Sequence, residues 1–251
     1  MDANPLISVR DLVQKIGHQE ILRGFSLDIF QGETLVLLGK SGGGKSVFLR
    51  HLIGLMKPVS GEILFEGSNI ANLNERQLVP IRRKIGMLFQ DGALFDSMNV
   101  YDNVAFPLRE HGERDEKSVR KKVLEALELV NMSGHEKKMP VNLSGGMRKR
   151  VALARAIISP LQVILYDEPT AGLDPIVSDS INRLILRLQK QLSVTSIVVT
   201  HDMISCYRIA DRVALLNEGR RHFYGTPDDL RDSQDTIVRD FVDGRSEDGD
   251  D

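Results

Sequence analysis

Gly39-Lys40-Ser41-Gly42-Gly43-Gly44-Lys45-Ser46 lies between a short apolar run, Thr34–Leu38, and a segment, 45–55, whose apolar residues Val47, Phe48, Leu52 and Leu55 recur at helical spacing. A strand, a glycine-rich turn and a helix in that order set the fold class as α/β with a phosphate-binding loop. Glycines let successive backbone N–H groups converge on phosphate oxygens without Cβ clashes. The helix that follows turns the positive end of its dipole toward the same oxygens. Lys45 can then reach the outer phosphates, and the Ser46 hydroxyl can ligate Mg²⁺. A glycine-rich turn fitting this spacing by accident would not be expected to bring both flanking elements with it.

Outward from the loop, the length of the chain suits one large α/β domain or two intimately joined subdomains. Its 251 residues are 41% hydrophobic and 27% charged, ordinary for a globular protein. A net charge of -2 gives no basic signal for nucleic acid. One cysteine, Cys206, excludes an internal disulfide. The apolar runs 34–38, 163–166 and 194–200 are far shorter than the roughly 20 residues of a spanning helix. The N-terminal residues 1–6 lack the layout of a secretion signal, so any work at a membrane is expected from the aqueous side.

Before the loop, 7–31 alternates short apolar runs with turn residues such as Gly17 and Gly24 and predicts an antiparallel β region. After it, 61–65 and 84–89 read as strands. The segment 117–131 sets Val119, Val123, Leu124, Leu127 and Val130 on one helical face, and 144–158 is a second helix with Ser144 as its N-cap. A helical subdomain is therefore expected at about 91–160. Two apolar runs, 163–166 and 196–200, suit parallel strands covered on both faces. Between them Asp174 caps a helix that has Pro175 at its first position and an apolar stripe of Ile181, Leu184, Ile185 and Leu188. A hairpin is predicted around Asn217-Glu218-Gly219, and a short helix from Thr226-Pro227.

The run 163–166 leads directly into Asp167-Glu168, the layout of a Walker B acidic pair, as the glycine loop is that of Walker A. Ligands of open α/β sheets gather at the carboxyl ends of strands. There Asp167 can hold Mg²⁺ through water and Glu168 can polarise an attacking water as general base. The competing reading is an acidic pair opening a surface helix, which the upstream phosphate loop disfavours. His201 follows another strand and can orient water at a terminal phosphate; otherwise it is an exposed loop histidine. Gln90 closes the strand 84–89 and can ligate Mg²⁺ or position water. The other five histidines form no metal-spaced set.

Leu143-Ser144-Gly145-Gly146-Met147 resembles the signature motif of ATP-binding cassette ATPases. The order of glycine loop, Gln90, signature, acidic pair, Ala171-Gly172-Leu173-Asp174 and His201 is similar to that family over about residues 6–230. The resemblance implies a P-loop NTPase with a RecA-like core, an N-terminal antiparallel β subdomain and an inserted helical subdomain. Together these would form one domain over 1–244, followed by an acidic disordered tail, 245–251. It implies ATP and Mg²⁺ as ligands, with Gly39 to Val47 on the nucleotide. It also implies a head-to-tail dimer in which Ser144, Gly145 and Gly146 of one copy face the γ-phosphate held by the other, with Asp174 at that interface. The family's adenine-stacking aromatic is replaced here by Ile16, so base packing would be apolar.

A finer resemblance rests on Lys45-Ser46-Val47, Gly86-Met87-Leu88-Phe89-Gln90, Ala93-Leu94-Phe95-Asp96-Ser97, 100–108 and 144–156. Together they look like the ATPase subunit of Mla- or MCE-type phospholipid transporters. The implied partners are a second copy, an integral membrane permease and an MCE-domain substrate-binding protein, at the cytoplasmic face of a bacterial inner membrane. Leu94, Phe95, Met98, Val100, Phe106 and Leu108 would in part form an apolar groove for a permease helix, or else pack the subdomain's own core. Apolar residues of 234–244 would dock on the chain's own body or on the second protomer. The competing functions are an ATPase for an importer of small polar solutes, or a soluble ATP-binding cassette protein of repair or translation. The latter lacks its usual long coiled coil or second cassette here.

Overall fold

The computed structural model describes residues 4–245. Of the stretches read above, 1–3 and the acidic run 246–251 lie outside the described residues. The chain divides into two compact units: residues up to Val79 together with those from Ile197 onward, and Pro80–Ser196.

The first unit begins with β1 (Ile7–Ile16) and β2 (Gln19–Ile29), an antiparallel hairpin closed over Gly17 and His18. Leu22, Phe25, Leu27 and Ile29 of β2 are buried, as the two-residue period of a half-covered sheet requires. Gly24 is not a turn residue. It sits inside β2 at φ +76, where Phe25 faces Leu12 and Arg23 faces Val13, so it forms a bulge. β3 (Thr34–Leu38) is buried throughout and leads into the glycine loop and α1 (Lys45–Leu52). Phe48 of α1 packs edge-on against Phe25, with ring centroids 5.1 Å apart. β4 (Ser60–Phe65) and β5 (Ser68–Asn69) complete a sheet of order β2-β1-β4-β5. α2 (Glu75–Arg82), which the sequence reading did not find, carries the chain into the second unit.

The second unit holds β6 (Ile85–Leu88), α3 (Val100–Glu110), α4 (Glu116–Leu129), α5 (Gly145–Ala156), β7 (Val163–Asp167) and α6 (Pro175–Leu192). β6 and β7 pair in parallel. Val119, Val123 and Leu127 of α4 are buried, but Leu124 faces outward, one helical step off that stripe. Arg150 and Arg187, from α5 and α6, donate to Val130 O at 2.8 Å and Leu129 O at 2.6 Å. They satisfy carbonyls that the end of α4 leaves without helical partners. Ile181, Leu184, Ile185 and Leu188 form the buried stripe of α6.

β8 (Thr195–Thr200) starts in the second unit and runs back into the first. There follow α7 (Met203–Ile209), β9 (Arg212–Asn217), β10 (Arg220–Gly225), α8 (Pro227–Arg231) and α9 (Thr236–Asp243). β9 pairs in parallel with β3 and antiparallel with β10. The hairpin turns at Glu218 and Gly219, both at positive φ, as a tight two-residue connection demands. α9 docks on its own chain: Val238 is buried, and Ile237 and Phe241 lie beside Leu215 and Leu216.

Candidate active site

In the first unit, buried β3 delivers Gly39 against β9. A Cβ built on Gly39 would lie 2.8 Å from Leu216 O, so no side chain fits where the loop leaves the sheet. Gly42 and Gly44 take φ +74 and +104, and a Cβ at Gly44 would meet Ile21 Cγ2 at 2.8 Å. Gly44 is the N-cap of α1 and makes no side-chain cap, so the positive end of the helix dipole faces the loop without a capping side chain. Lys45 is only 5% exposed. Its Nζ is turned into the loop, donating to Gly39 O at 2.8 Å and Lys40 O at 3.1 Å. A cradle with inward lysine, glycines in the left-handed region and an uncapped helix start fits a polyphosphate. His51 braces α1 to β1, its Nδ1 on Val47 O at 2.7 Å and its Nε2 on Gln14 Oε1 at 3.1 Å. Burial lowers its pKa below the usual histidine value. Lys40, Ser41 and Ile16 are exposed, Ile16 at the end of β1. His201 is exposed just after β8.

The second unit carries the remaining residues. β7 is buried throughout and ends in Asp167, with Glu168 next; both side chains are nearly inaccessible. Glu168 has φ +46 and precedes Pro169, which ordinarily drives the preceding residue to extended backbone. A glutamate held in the left-handed region there is under strain. Gln90 lies exposed two residues beyond β6. Ser144 caps α5, its side chain accepting from Met147 N at 3.3 Å. A Cβ on Gly146 would meet Val177 Cγ1 at 2.5 Å, and one on Gly145 would meet Leu173 Cδ2 at 3.1 Å. The glycines thus also let α5 approach the start of α6. Asp174 caps α6 by accepting from Ile176 N and Val177 N, both at 3.0 Å.

The sequence pattern gives Lys149 no site role. In Arg148-Lys149-Arg150 it reads as part of a solvated basic face, yet it is 5% exposed. Its Nζ donates to Glu168 O at 3.1 Å and to Gln90 O. It thus joins two residues that the sequence singled out separately. Burial lowers its pKa, and the carboxylates of Asp91, Asp167 and Glu168 oppose that shift. The available signal was spacing: Lys149 shares a helical face with Gly146, Leu153 and Ala156.

A separate groove of about 510 Å³ opens in the second unit, floored by Met87, Phe89, Phe95 and Phe106 and rimmed by Arg82 and Arg155. Phe95 is 41% exposed and its ring lies 4.7 Å from that of Phe106. Val100 and Leu108, considered above for this groove, are instead buried in the core beneath it. Asn103 holds the approach to the groove: it accepts from Phe95 N at 2.8 Å and donates to Phe95 O, Met98 O and Asn99 O.

A glycine cradle with an inward lysine and an acidic pair ending a buried strand define a P-loop nucleotide hydrolase of mixed α/β fold, with an antiparallel β sheet at its N-terminal side. The ABC transporter family model matches residues 22–171, and the chain belongs to that family. It is an ATPase subunit of the ATP-binding cassette type. Among its relatives, the intermembrane phospholipid transport ATP-binding protein MlaF of Haemophilus influenzae is 42% identical over 96% of this chain and 92% of its own length. The probable ribonucleotide transport ATP-binding protein mkl of Mycobacterium leprae is 45% identical over 95% of this chain and 69% of its own length. Solved structures agree: cbiO1 from Clostridium perfringens, part of the transporter complex cbiONQ, superposes with a TM-score of 0.84 at 32% identity over 95% of each chain. A dimeric ATP-binding cassette, MJ0796 bound to ADP and Pi, gives 0.80 at 30% identity over 88% of this chain and 98% of that one. Among the described residues, no helix is long and apolar enough to cross a membrane.

Proposed function

We propose that this ATPase energises the movement of phospholipid, or another hydrophobic substrate, between a bacterial inner membrane and the outer envelope. The observation that carries this reading is the match to MlaF, which runs over 92% of that protein's length. In this reading the chain works from the cytoplasmic face, bound to an integral permease and, through the assembly, to an MCE-domain substrate-binding protein. A second reading, a transporter of small polar solutes, is favoured by the ribonucleotide name of mkl. Purifying the complex from membranes, identifying its subunits and assaying lipid transfer between vesicles separates them. Co-purified phospholipid and ATP-dependent transfer are expected; an assembly that accumulates a polar solute and moves no lipid would overturn the first reading.

Chemically, Gly39, Lys40, Ser41, Gly42, Gly43, Gly44, Lys45, Ser46 and Val47 hold the triphosphate, and Ile16 lies against adenine. Mg²⁺ would be held by the oxygens of Ser46, Gln90 and Asp167, together with the phosphates. That hard-oxygen donor set suits the ion, and no cage of three or more His, Cys, Asp or Glu occurs among the described residues. The ion supplies charge neutralisation at the phosphates. Glu168 takes the proton of the attacking water, and His201 and Gln90 orient it. Ser144, Gly145, Gly146 and Asp174 belong to the face that closes on a second copy in a head-to-tail dimer. The helical subdomain, 91–160 within a single domain of 1–244, carries Ser144, Gly145 and Gly146 of that face, and Asp174 follows outside it. Glu168→Gln should bind ATP, fail to turn it over and accumulate as a nucleotide-loaded dimer on size exclusion; unchanged turnover would remove Glu168 from the mechanism.

A further inference from the structure

Lys149 is the one lysine of the signature helix α5 that points into the protein, and it points at Glu168. Its buried ammonium donates to the carbonyls of Glu168 and Gln90, Glu168 O at 3.1 Å, with the carboxylates of Asp91, Asp167 and Glu168 near enough to act on its charge. Glu168 needs such a hold. Its backbone sits at φ +46 just before a proline, a conformation that persists only where the surroundings impose it. A carbonyl tied to a cation fixes the peptide plane, and with it the direction in which the glutamate side chain leaves the backbone. The second bond fixes the chain at Gln90, which continues through Gly92 and Ala93, both at positive φ.

We propose that Lys149 is a positioning residue for hydrolysis: from the second turn of α5 it holds Glu168 and Gln90 in working register, so that the helix begun by Ser144 and the water-activating glutamate are mechanically one piece. This rests on the reading of Glu168 as general base. It predicts that Lys149 matters to the chemical step and not to the grip on nucleotide, because its contacts reach no loop glycine of residues 39–44.

The test is steady-state ATP turnover by the purified full-length chain, with ATP affinity measured separately, for K149M, K149Q and E168Q. K149M keeps the length of the side chain and deletes the donor. Its kcat should fall about 10- to 100-fold, the cost of a misplaced catalytic group, while KM and ATP affinity stay within about twofold. K149Q, which keeps an N–H donor, should recover part of that loss. On the E168Q background K149M should leave the amount of trapped ATP unchanged, since the group it positions is already disabled. Wild-type kcat in K149M, or a KM and affinity that worsen in step with kcat, would overturn the proposal. If K149M is not recovered folded, K149A, which also lacks the donor, decides by the same split: lowered kcat at constant KM supports the role, wild-type kcat refutes it. The two readings fail differently. An active E168Q removes Glu168 as base, whereas an inactive E168Q beside an unimpaired K149M removes only the role of Lys149.

Discussion

A residue's surroundings can reverse what its type suggests. Lys149 belongs to a run of three cations and is nevertheless enclosed, because its Nζ is matched to the carbonyls of Glu168, just past the fully buried β7, and of Gln90, just past β6. Cys206 shows the same effect on a simpler group. Burial, with the nearby carboxylate of Asp202 adding to it, pushes its thiol up to about 12 from the ordinary value. The thiol stays protonated in the folded protein while it ionises in the unfolded chain, so above the unfolded value the native state binds the extra proton. Stability from this group is therefore complete below about pH 9 and declines as pH rises toward about 12. At pH 8 the folded protein should resist iodoacetamide, and denaturant should release one alkylatable thiol per chain, read by mass spectrometry. Rapid labelling of the native protein would contradict the burial.

At the scale of elements, α3 and the loop before it supply Phe95 and Phe106 to the groove of the second unit, and Asn103 holds that loop in place. Four hydrogen bonds converge on its buried amide, from Phe95 to Asn99. Asn103→Leu strands those loop groups. It should cost about 2–4 kcal/mol in urea unfolding, at the upper end for a core polar network. Phe95→Asp makes a different demand. The ring is half-exposed, lies across from Phe106 and has the Arg155 guanidinium 5.8 Å from its centroid. A carboxylate there should leave ATP binding by the isolated chain intact and abolish transport in the membrane-bound complex. Full transport by this variant would show that no permease segment uses the groove.

For the whole molecule, a ligand that binds only the folded state stabilises it by mass action. With ATP at about 100 times its Kd, the gain is about 2.7 kcal/mol. Thermal unfolding with saturating Mg-ATP should therefore show a raised Tm for the wild type. Lys45→Ala, which removes the ammonium now bonded to Gly39 O and Lys40 O, should show little or no rise. An equal rise in both would mean that nucleotide binds elsewhere.

Local pattern carried most of the architecture. The glycine loop, the strand Thr34–Leu38, the caps at Ser144 and Asp174, the stripe of α6 and the turn at Glu218-Gly219 depend on interactions within a few residues, and spacing alone reports these. The family, too, was legible, because its motifs are short runs with fixed order. Elements whose signal is not local are not legible: α2 has Pro80 inside it, and the sequence of α3 shows only an apolar stretch. From sequence Gly24 reads as a turn because a bulge and a turn ask the same positive φ of a glycine, and only the register of β1 against β2 tells them apart. Likewise, Val100 and Leu108 could be told from Phe95 and Phe106 only once α3 had a buried side. What tertiary structure alone decided was which polar groups lose water. Lys149 meets Glu168 and Gln90 across 19 and 59 residues of chain, and no periodicity encodes a contact at that separation. Sequence by itself determined the fold class, the nucleotide loop and the family; folding decided which charge would be buried against the strained glutamate, because desolvation depends on everything packed around a group and not on its neighbours in the chain.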